Sequence, residues 1–418
     1  MKRTFRLWRT RLFFLLAVVG PGFITANVDN DAGGIYTYSF AGARFGYNLL
    51  WTIIPMALAL SVMQEMSARM GAVTGKGLSD LIREEFGFRL TFFMMIALVL
   101  TNFANVVAEF AGVASSLELF GVSKYYSVPI AAIVVWLVVV KGDYKTVEKI
   151  FLFASFLYIM YIIAAFFSDP SWKMAADGLV RPPTLETLKR REYIYLTIGI
   201  IGATIAPWQQ FYLQSSVVEK TAHTRHQFVA ARIDAVFGAV FSCIIAGFIM
   251  VVCAATLNRH GLTEITSAAD AAAALRPLAG DYAYLLFALG LFNASLFAAS
   301  VLPLSTAYTV CEGLGFESGV DKRFRDAPVF YWLYTALILA GGGVVLLPSF
   351  PLLRMMVLSQ VLNGILLPFV LIFMLLLVNN KALMGKHVNS RFYNIIALTT
   401  TVIMIVLSGV LLWMGFAS

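Results

Sequence analysis

Apolar residues run along this chain in long blocks and not in short alternating patterns, and each block is about the length a helix needs to cross a bilayer. A hydrocarbon core about 30 Å thick requires roughly 20 apolar residues in a helix. Eleven stretches meet that requirement: 13–45, 47–70, 90–117, 126–141, 147–167, 193–217, 234–257, 281–312, 328–347, 352–378 and 392–416. The pattern predicts an all-α polytopic membrane protein. The connection 168–192, with Pro170, Pro182 and Pro183, reads as a loop.

Two blocks are interrupted at their middles. The first contains Gly20-Pro21-Gly22 and then Asn27-Val28-Asp29-Asn30-Asp31-Ala32-Gly33-Gly34. Two carboxylates at that depth are expensive in lipid, so a functional role is the default. A helix that instead began after Gly34, leaving Asp29 and Asp31 in a loop, would be too short to span. The sixth block carries Gly199 and Gly202, then Ala203-Thr204-Ile205-Ala206-Pro207-Trp208-Gln209-Gln210. Pro207 removes a backbone donor and frees carbonyls near Ala203, which can serve as cation ligands. A lone proline kink would be unremarkable in a membrane helix. Breaks at matching places in the first and sixth of eleven spans are the pointer to an inverted-repeat transporter with a site at the midplane.

Composition agrees with this class. Of 418 residues, 60% are hydrophobic and 13% charged, and mean hydropathy is +0.81. A soluble domain has too much surface for that much apolar material. The net charge of +8 does not point to nucleic acid, because the basic residues sit in short loops between apolar blocks. Most of the 31 Lys and Arg fall on the side that holds the N-terminus, which predicts N-inside and, with eleven spans, C-outside. The basic start and the apolar run 13–19 resemble a secretory signal, but the apolar character resumes past Gly22 and further spans follow, so the segment is taken as part of the mature first helix. Cys243, Cys253 and Cys311 have no metal-type spacing and read as small core residues.

Four motifs occur in order: Gln64-Glu65-Met66-Ser67-Ala68-Arg69 with Thr74-Gly75-Lys76, Ala108-Glu109-Phe110-Ala111-Gly112, Gly202-Ala203-Thr204-Ile205-Ala206-Pro207, and Ser359-Gln360-Val361 with Leu367-Pro368-Phe369. Together they resemble the NRAMP family of divalent-metal transporters. The resemblance runs nearly end to end. It implies a LeuT-like fold with a 5+5 inverted repeat, about 13–167 and 193–378, and an extra helix 392–416. It also implies a single transport domain in a prokaryotic inner membrane, working as a monomer without a cofactor and with lipid as its surroundings.

Departures from the family pattern shape the expected substrate. The family's Asp-Pro-Gly-Asn is here Asp31-Ala32-Gly33-Gly34, so the aspartate ligand is kept and the asparagine ligand has become Gly34. The thioether ligand has become Ala206, and the histidine two residues later has become Trp208. The helix 3 acid three residues before Glu109 has become Val106. Sulfur favours softer ions, whereas carboxylate, carbonyl and water suit Mg²⁺, which sheds water reluctantly. These residues predict a roomy, oxygen-only site for partly hydrated Mg²⁺, with Mn²⁺ second, resembling the magnesium-transporting branch of the family. None of His223, His226, His260 and His387 falls mid-span to relay protons, which predicts uncoupled transport.

The expected roles follow residue by residue. Asp31 binds the ion or, alternatively, caps the following half-helix. Ala203 gives its carbonyl, and Gly34 and Ala206 give space. Asp29 and Asn30 serve the metal, its waters or a helix end. Gln209, Gln210 and Gln360 hold water or bond across helices. Glu109 marks the family's proton route, and Trp208 closes the cavity or simply packs. The competing readings are a proton-coupled Mn²⁺/Fe²⁺ symporter and, in another class, a sodium-coupled organic-solute transporter. An enzyme is not expected, since no nucleophile–base pair is legible.

Overall fold

The computed structural model describes residues 20–141, 158–220, 225–265, 268–275 and 283–416. Among them the regular structure is entirely helical. The elements are α1 (Pro21–Val28), α2 (Ala32–Phe45), α3 (Ile53–Thr74), α4 (Leu78–Phe86), α5 (Phe88–Glu118), α6 (Lys124–Lys141), α7 (Ile159–Phe167), α8 (Trp172–Val180), α9 (Leu185–Leu188), α10 (Arg191–Thr204), α11 (Pro207–Lys220), α12 (Arg225–Thr256), α13 (Ala268–Ala272), α14 (Ala283–Leu314), α15 (Pro328–Val345), α16 (Leu352–Val378), α17 (Lys381–Met384) and α18 (Arg391–Phe416). Eight of the described helices are long and apolar enough to cross a membrane, taking 32–74 as one continuous stretch. Parts of the expected spans 13–45, 147–167 and 281–312 lie outside the described residues, as does His223.

The loop expected over 168–192 is largely helical. Ser171 and Thr184 start α8 and α9 by accepting hydrogen bonds from the N–H groups of Met174 and Thr187, the usual N-cap chemistry. The three prolines that suggested a loop lie outside both helices. A short amphipathic helix, α4, also follows α3. Gly75 ends α3 in the left-handed conformation (φ 65°), a C-terminal role that glycine fills without strain.

The breaks sit at the centre of the bundle. Helix α12 packs against α1, α2 and α3, while α16 packs against α2, α5, α10 and α18. The α10–α16 approach is close enough that a Cβ at Gly202 would lie 2.0 Å from the Gln360 carbonyl oxygen. Outward faces carry bare apolar side chains, among them Phe93 (70% exposed), Leu100 (64%) and Ile395 (64%). Exposed faces of that kind have lipid, not water, as their natural solvent.

Two carboxylates on neighbouring helices pin the packing. Asp234 of α12 accepts from the N–H groups of Gly20 (2.8 Å), Gly22 (2.7 Å) and Phe23 (3.2 Å). It caps the start of α1 from another helix, where orphan donors and the helix dipole both favour an anion. Near the far end of α3, buried Glu65 lies 3.2 Å from Arg69 and is also paired with Arg232. Arg69 in turn donates to the carbonyls of His387 (2.7 Å) and Val388 (3.2 Å) and to the Asn389 side chain. One arginine thus ties α3 to the segment that joins α17 to α18.

Candidate functional site

The first break is the three-residue gap between α1 and α2. Asn27 turns its amide back onto the Phe23 carbonyl (2.7 Å), and Asn30 N–H donates to the Asn27 carbonyl (3.1 Å). Asp31 then opens α2 as its N-cap, accepting from Gly34 N–H at 2.5 Å. The Ala32 N–H, another orphan of that helix start, donates to Glu109 Oε2 on α5 at 3.1 Å. Two acids from different helices therefore serve one helix N-terminus. Glu109 and Asp31 thereby meet at the first turn of α2.

The second break separates α10 from α11 at Ile205 and Ala206. Ile205 N–H still reaches the Ile201 carbonyl (2.7 Å). Pro207 has no N–H to offer the Ala203 carbonyl, which loses its helical partner. The two breaks face each other through two contacts. Tyr38 of α2 hydrogen-bonds Thr204 at 3.0 Å, and Gln209 donates both to Asp29 and to the Thr204 carbonyl (3.2 Å).

Both carboxylates are met by glutamine amides. Gln360 of α16 points Nε2 at the two oxygens of Asp31 (3.2 and 3.3 Å), and Gln209 donates to Oδ1 of Asp29 alone. Asp29 Oδ2 has no hydrogen-bond partner among the described residues. Asp29, Asn30, Asp31, Ala203, Ala206, Trp208, Gln209 and Gln360 are all at most 3% exposed. The conformation is closed around them. Among the described residues no three His, Cys, Asp or Glu side chains gather into a metal cluster. A cation held here would have to draw on backbone and amide oxygens beside the carboxylates.

The structure chooses between the alternatives at several positions and departs from the expectation at Gly34. Gly34 does not open a hollow: a Cβ there would lie 2.2 Å from the Asp29 carbonyl oxygen, because the turn folds that carbonyl over the start of α2. In this conformation Gly34 is crowded and Ala206 is buried (1% exposed). Gln210 does not reach either carboxylate. Its Oε1 accepts from Ser67 of α3 (2.8 Å), since successive helical residues point about 100° apart. Asn30 donates to Ser242 of α12 (3.2 Å). Trp208 is packed beside Tyr212 with ring centroids 6.4 Å apart, and its carbonyl accepts from Ser305 (3.0 Å). Glu109 acquires the capping contact that its sequence position did not suggest.

The residues that sequence reasoning left without a role are Gln64, Asn105, Asn363 and Asp234. Gln64 donates to Gln209 Oε1 (3.2 Å), and Asn363 donates to Gln360 Oε1 (3.0 Å). A signal was present, since Asn102, Asn105 and Glu109 lie at spacings of three and four on α5, one face of a helix.

With this geometry in view, comparison with known proteins is decisive. The family model described as natural resistance-associated macrophage protein-like matches residues 22–414. The chain belongs to that family. The proteins named divalent metal cation transporter MntH of Klebsiella pneumoniae and Ralstonia nicotianae are 29% and 30% identical to it. Those alignments cover 94% and 98% of this chain and 93% of each relative. A solved Eremococcus coleocola manganese transporter is similar in fold, with a TM-score of 0.76 at 23% identity over 96% of this chain and 86% of its own. The more distant Mhp1, a nucleobase-cation-symport-1 family transporter, shares the fold at a TM-score of 0.56 and 14% identity, over 94% of this chain and 92% of its own. The fold of this NRAMP-family chain is therefore the LeuT-like one, and Asp31 and Pro207 stand at its two broken helices.

Proposed function

We propose that this protein is a secondary transporter that carries divalent cations by alternating access, Mg²⁺ first and Mn²⁺ second, without moving protons. The observation that carries the reading is Asp31: a buried carboxylate between two broken helices, surrounded by amide and backbone groups. Asp31 supplies the charge, the Ala203 carbonyl a neutral oxygen, and Asp29 a second acidic group close by. With a methyl group at Ala206 instead of the family's thioether, the site offers hard ligands, which suit Mg²⁺. A cation that keeps several waters needs more room than this closed conformation leaves. The proposal therefore requires α1 or α10 to move away from Asp31 during the cycle.

The same reading takes the chain as eleven spans in one transport domain. Five-helix repeats occupy about 13–167 and 193–378, the last helix is 392–416, the N-terminus is cytoplasmic and the C-terminus outside. It acts as a monomer in the inner membrane of a prokaryote and belongs to the magnesium-transporting branch of the family. In that orientation the Glu65–Arg69–Arg232 clamp closes the cytoplasmic end.

One rival has a specific observation in its favour. Glu109 shares the start of α2 with Asp31, as a proton-coupled Mn²⁺ or Fe²⁺ symporter would need. Uptake into proteoliposomes with internal pH followed separates the two. Uncoupled transport predicts Mg²⁺ accumulation with no acidification of the lumen. Mn²⁺-driven acidification with no Mg²⁺ flux would replace this reading by the coupled one.

A further inference from the structure

The two glutamines that meet the carboxylates are each held from behind by another amide, and on the Asp31 side that support is doubled. Gln360 Oε1 accepts from Asn363 Nδ2 at 3.0 Å. Asn363 and Asn105 of α5 then exchange hydrogen bonds: Asn105 Nδ2 donates to Asn363 Oδ1 (2.8 Å), and Asn363 Nδ2 donates to Asn105 Oδ1 (3.2 Å). Both N–H bonds of Asn363 and its oxygen are thus used. The three side chains are at most 1% exposed, so no bulk water can replace a lost partner, and an unmet amide there is costly.

The terminal torsion of a glutamine is broad and roughly two-fold, so its hydrogen-bond partners decide which way the amide faces. Turning Gln360 over alone, with Asn363 and Asn105 in place, would set its NH₂ against the NH₂ of Asn363 and its oxygen against the Asp31 carboxylate. Nor can the side chain swing aside freely, because it is seated on the first turn of α2: a Cβ at Gly33 would lie 2.1 Å from Gln360 Nε2. The amide therefore presents donors to Asp31, and an N–H donor cannot ligate a cation.

We propose that Asn363, held by Asn105, is a specificity-determining positioning residue. It keeps the Gln360 oxygen turned away from Asp31 and so denies the transported cation a direct ligand from α16. This rests on the reading of Asp31 as the cation's ligand. A direct carboxamide oxygen would take the place of one more water. That loss is worse for Mg²⁺, which dehydrates reluctantly, than for Mn²⁺. With the oxygen withdrawn, the site favours the ion that keeps its water. On the other carboxylate, Gln64 restrains Gln209 in the same sense, with its Nε2 on the Gln209 oxygen at 3.2 Å.

The test uses full-length protein in proteoliposomes and reads the ratio of apparent KM values for Mg²⁺ and Mn²⁺. Asn363→Leu frees Gln360 to rotate and is expected to shift the ratio toward Mn²⁺ by about fivefold, a typical coupling between touching residues. Asn363→Ser, whose hydroxyl is too short to reach Gln360, should shift it the same way and serves if the leucine variant does not fold. In a Gln360→Ala background, Asn363→Leu should add nothing, because the residue acts through that carboxamide. An unchanged ratio in either single variant overturns the proposal, and so does a shift that persists without the Gln360 side chain. Wild-type vesicles that carry neither ion would instead sink the metal-carrier reading itself.

Discussion

At the two helix breaks, Asp29 and Asp31 are met by neutral donors, the amides of Gln209 and Gln360 and the N–H of Gly34. At the Arg69 end of the bundle, Glu65 sits between two guanidinium groups. Both arrangements hold buried carboxylates, and the difference lies in what each can release. An arginine beside Asp31 would already occupy the place a cation needs. Amide dipoles stabilise the charge and still leave it attractive to a dication. At the Arg69 end a full ion pair holds α3 against α12. Under the proposed function, placement of charge separates a cation-binding region at the breaks from a clamped region at Arg69.

The largest expected effect tests the binding half of that comparison. Asp31→Asn keeps an oxygen that can cap α2, since asparagine is as good an N-cap as aspartate, but removes the charge. Transport should fall by at least about a hundredfold while the protein still inserts and elutes as a folded species, because a dication near a buried carboxylate gains several kcal/mol. Retained uptake would mean that Asp31 only caps.

The clamped half is tested by Arg69→Ala, which leaves Glu65 short of one partner and frees the segment 387–389. Breaking a buried pair costs about 3–5 kcal/mol, and the exposed half of Arg232 softens this toward the lower figure. The readout is a lowered unfolding midpoint in detergent, with uptake of Mg²⁺ and Mn²⁺ reduced in the same proportion. A change in selectivity instead would merge the two regions into one functional unit.

Ala206→Met sharpens the ligand chemistry of the break. Returning sulfur should raise Mn²⁺ or Cd²⁺ transport against Mg²⁺ by about tenfold, close to 1.4 kcal/mol, in competition uptake. An unaltered ratio would count against the hard-ligand argument. The smallest effect is expected from Asp234→Asn: Asp234 accepts through both carboxylate oxygens, unlike the one-oxygen cap of Asp31, and an NH₂ in place of one of them loses part of the cap on α1. A loss of about 1 kcal/mol should appear as faster amide exchange across 20–28. No change there would show that the start of α1 is held by packing alone.

Much of the fold was legible in the apolar blocks, because a bilayer fixes the length of every helix that crosses it. The breaks were legible too, since Asp29-Asn30-Asp31 and Pro207 violate what lipid tolerates. The ordered loop 168–192 was not. Its prolines read as breakers, whereas α8 and α9 depend on Ser171 and Thr184 as caps, a signal that competes poorly with proline by eye. Gln209 and Gln210 carried the same two readings, holding water or bonding across helices, and helical rotation sends them to different neighbours. Asn105 and Asn363 carried no sequence signal as a pair, being 258 residues apart.

What the sequence determined on its own was the solvent, the number and length of the apolar blocks, and the two places where charge or proline interrupts them. Each follows from local composition set against a slab of fixed thickness. The tertiary structure alone decided which donors face Asp29 and Asp31, that Glu109 and Asp234 cap helices across the bundle, and that Gly34 is crowded and not open. These depend on contacts between helices far apart in the chain, and no local pattern encodes the direction in which a buried amide is turned.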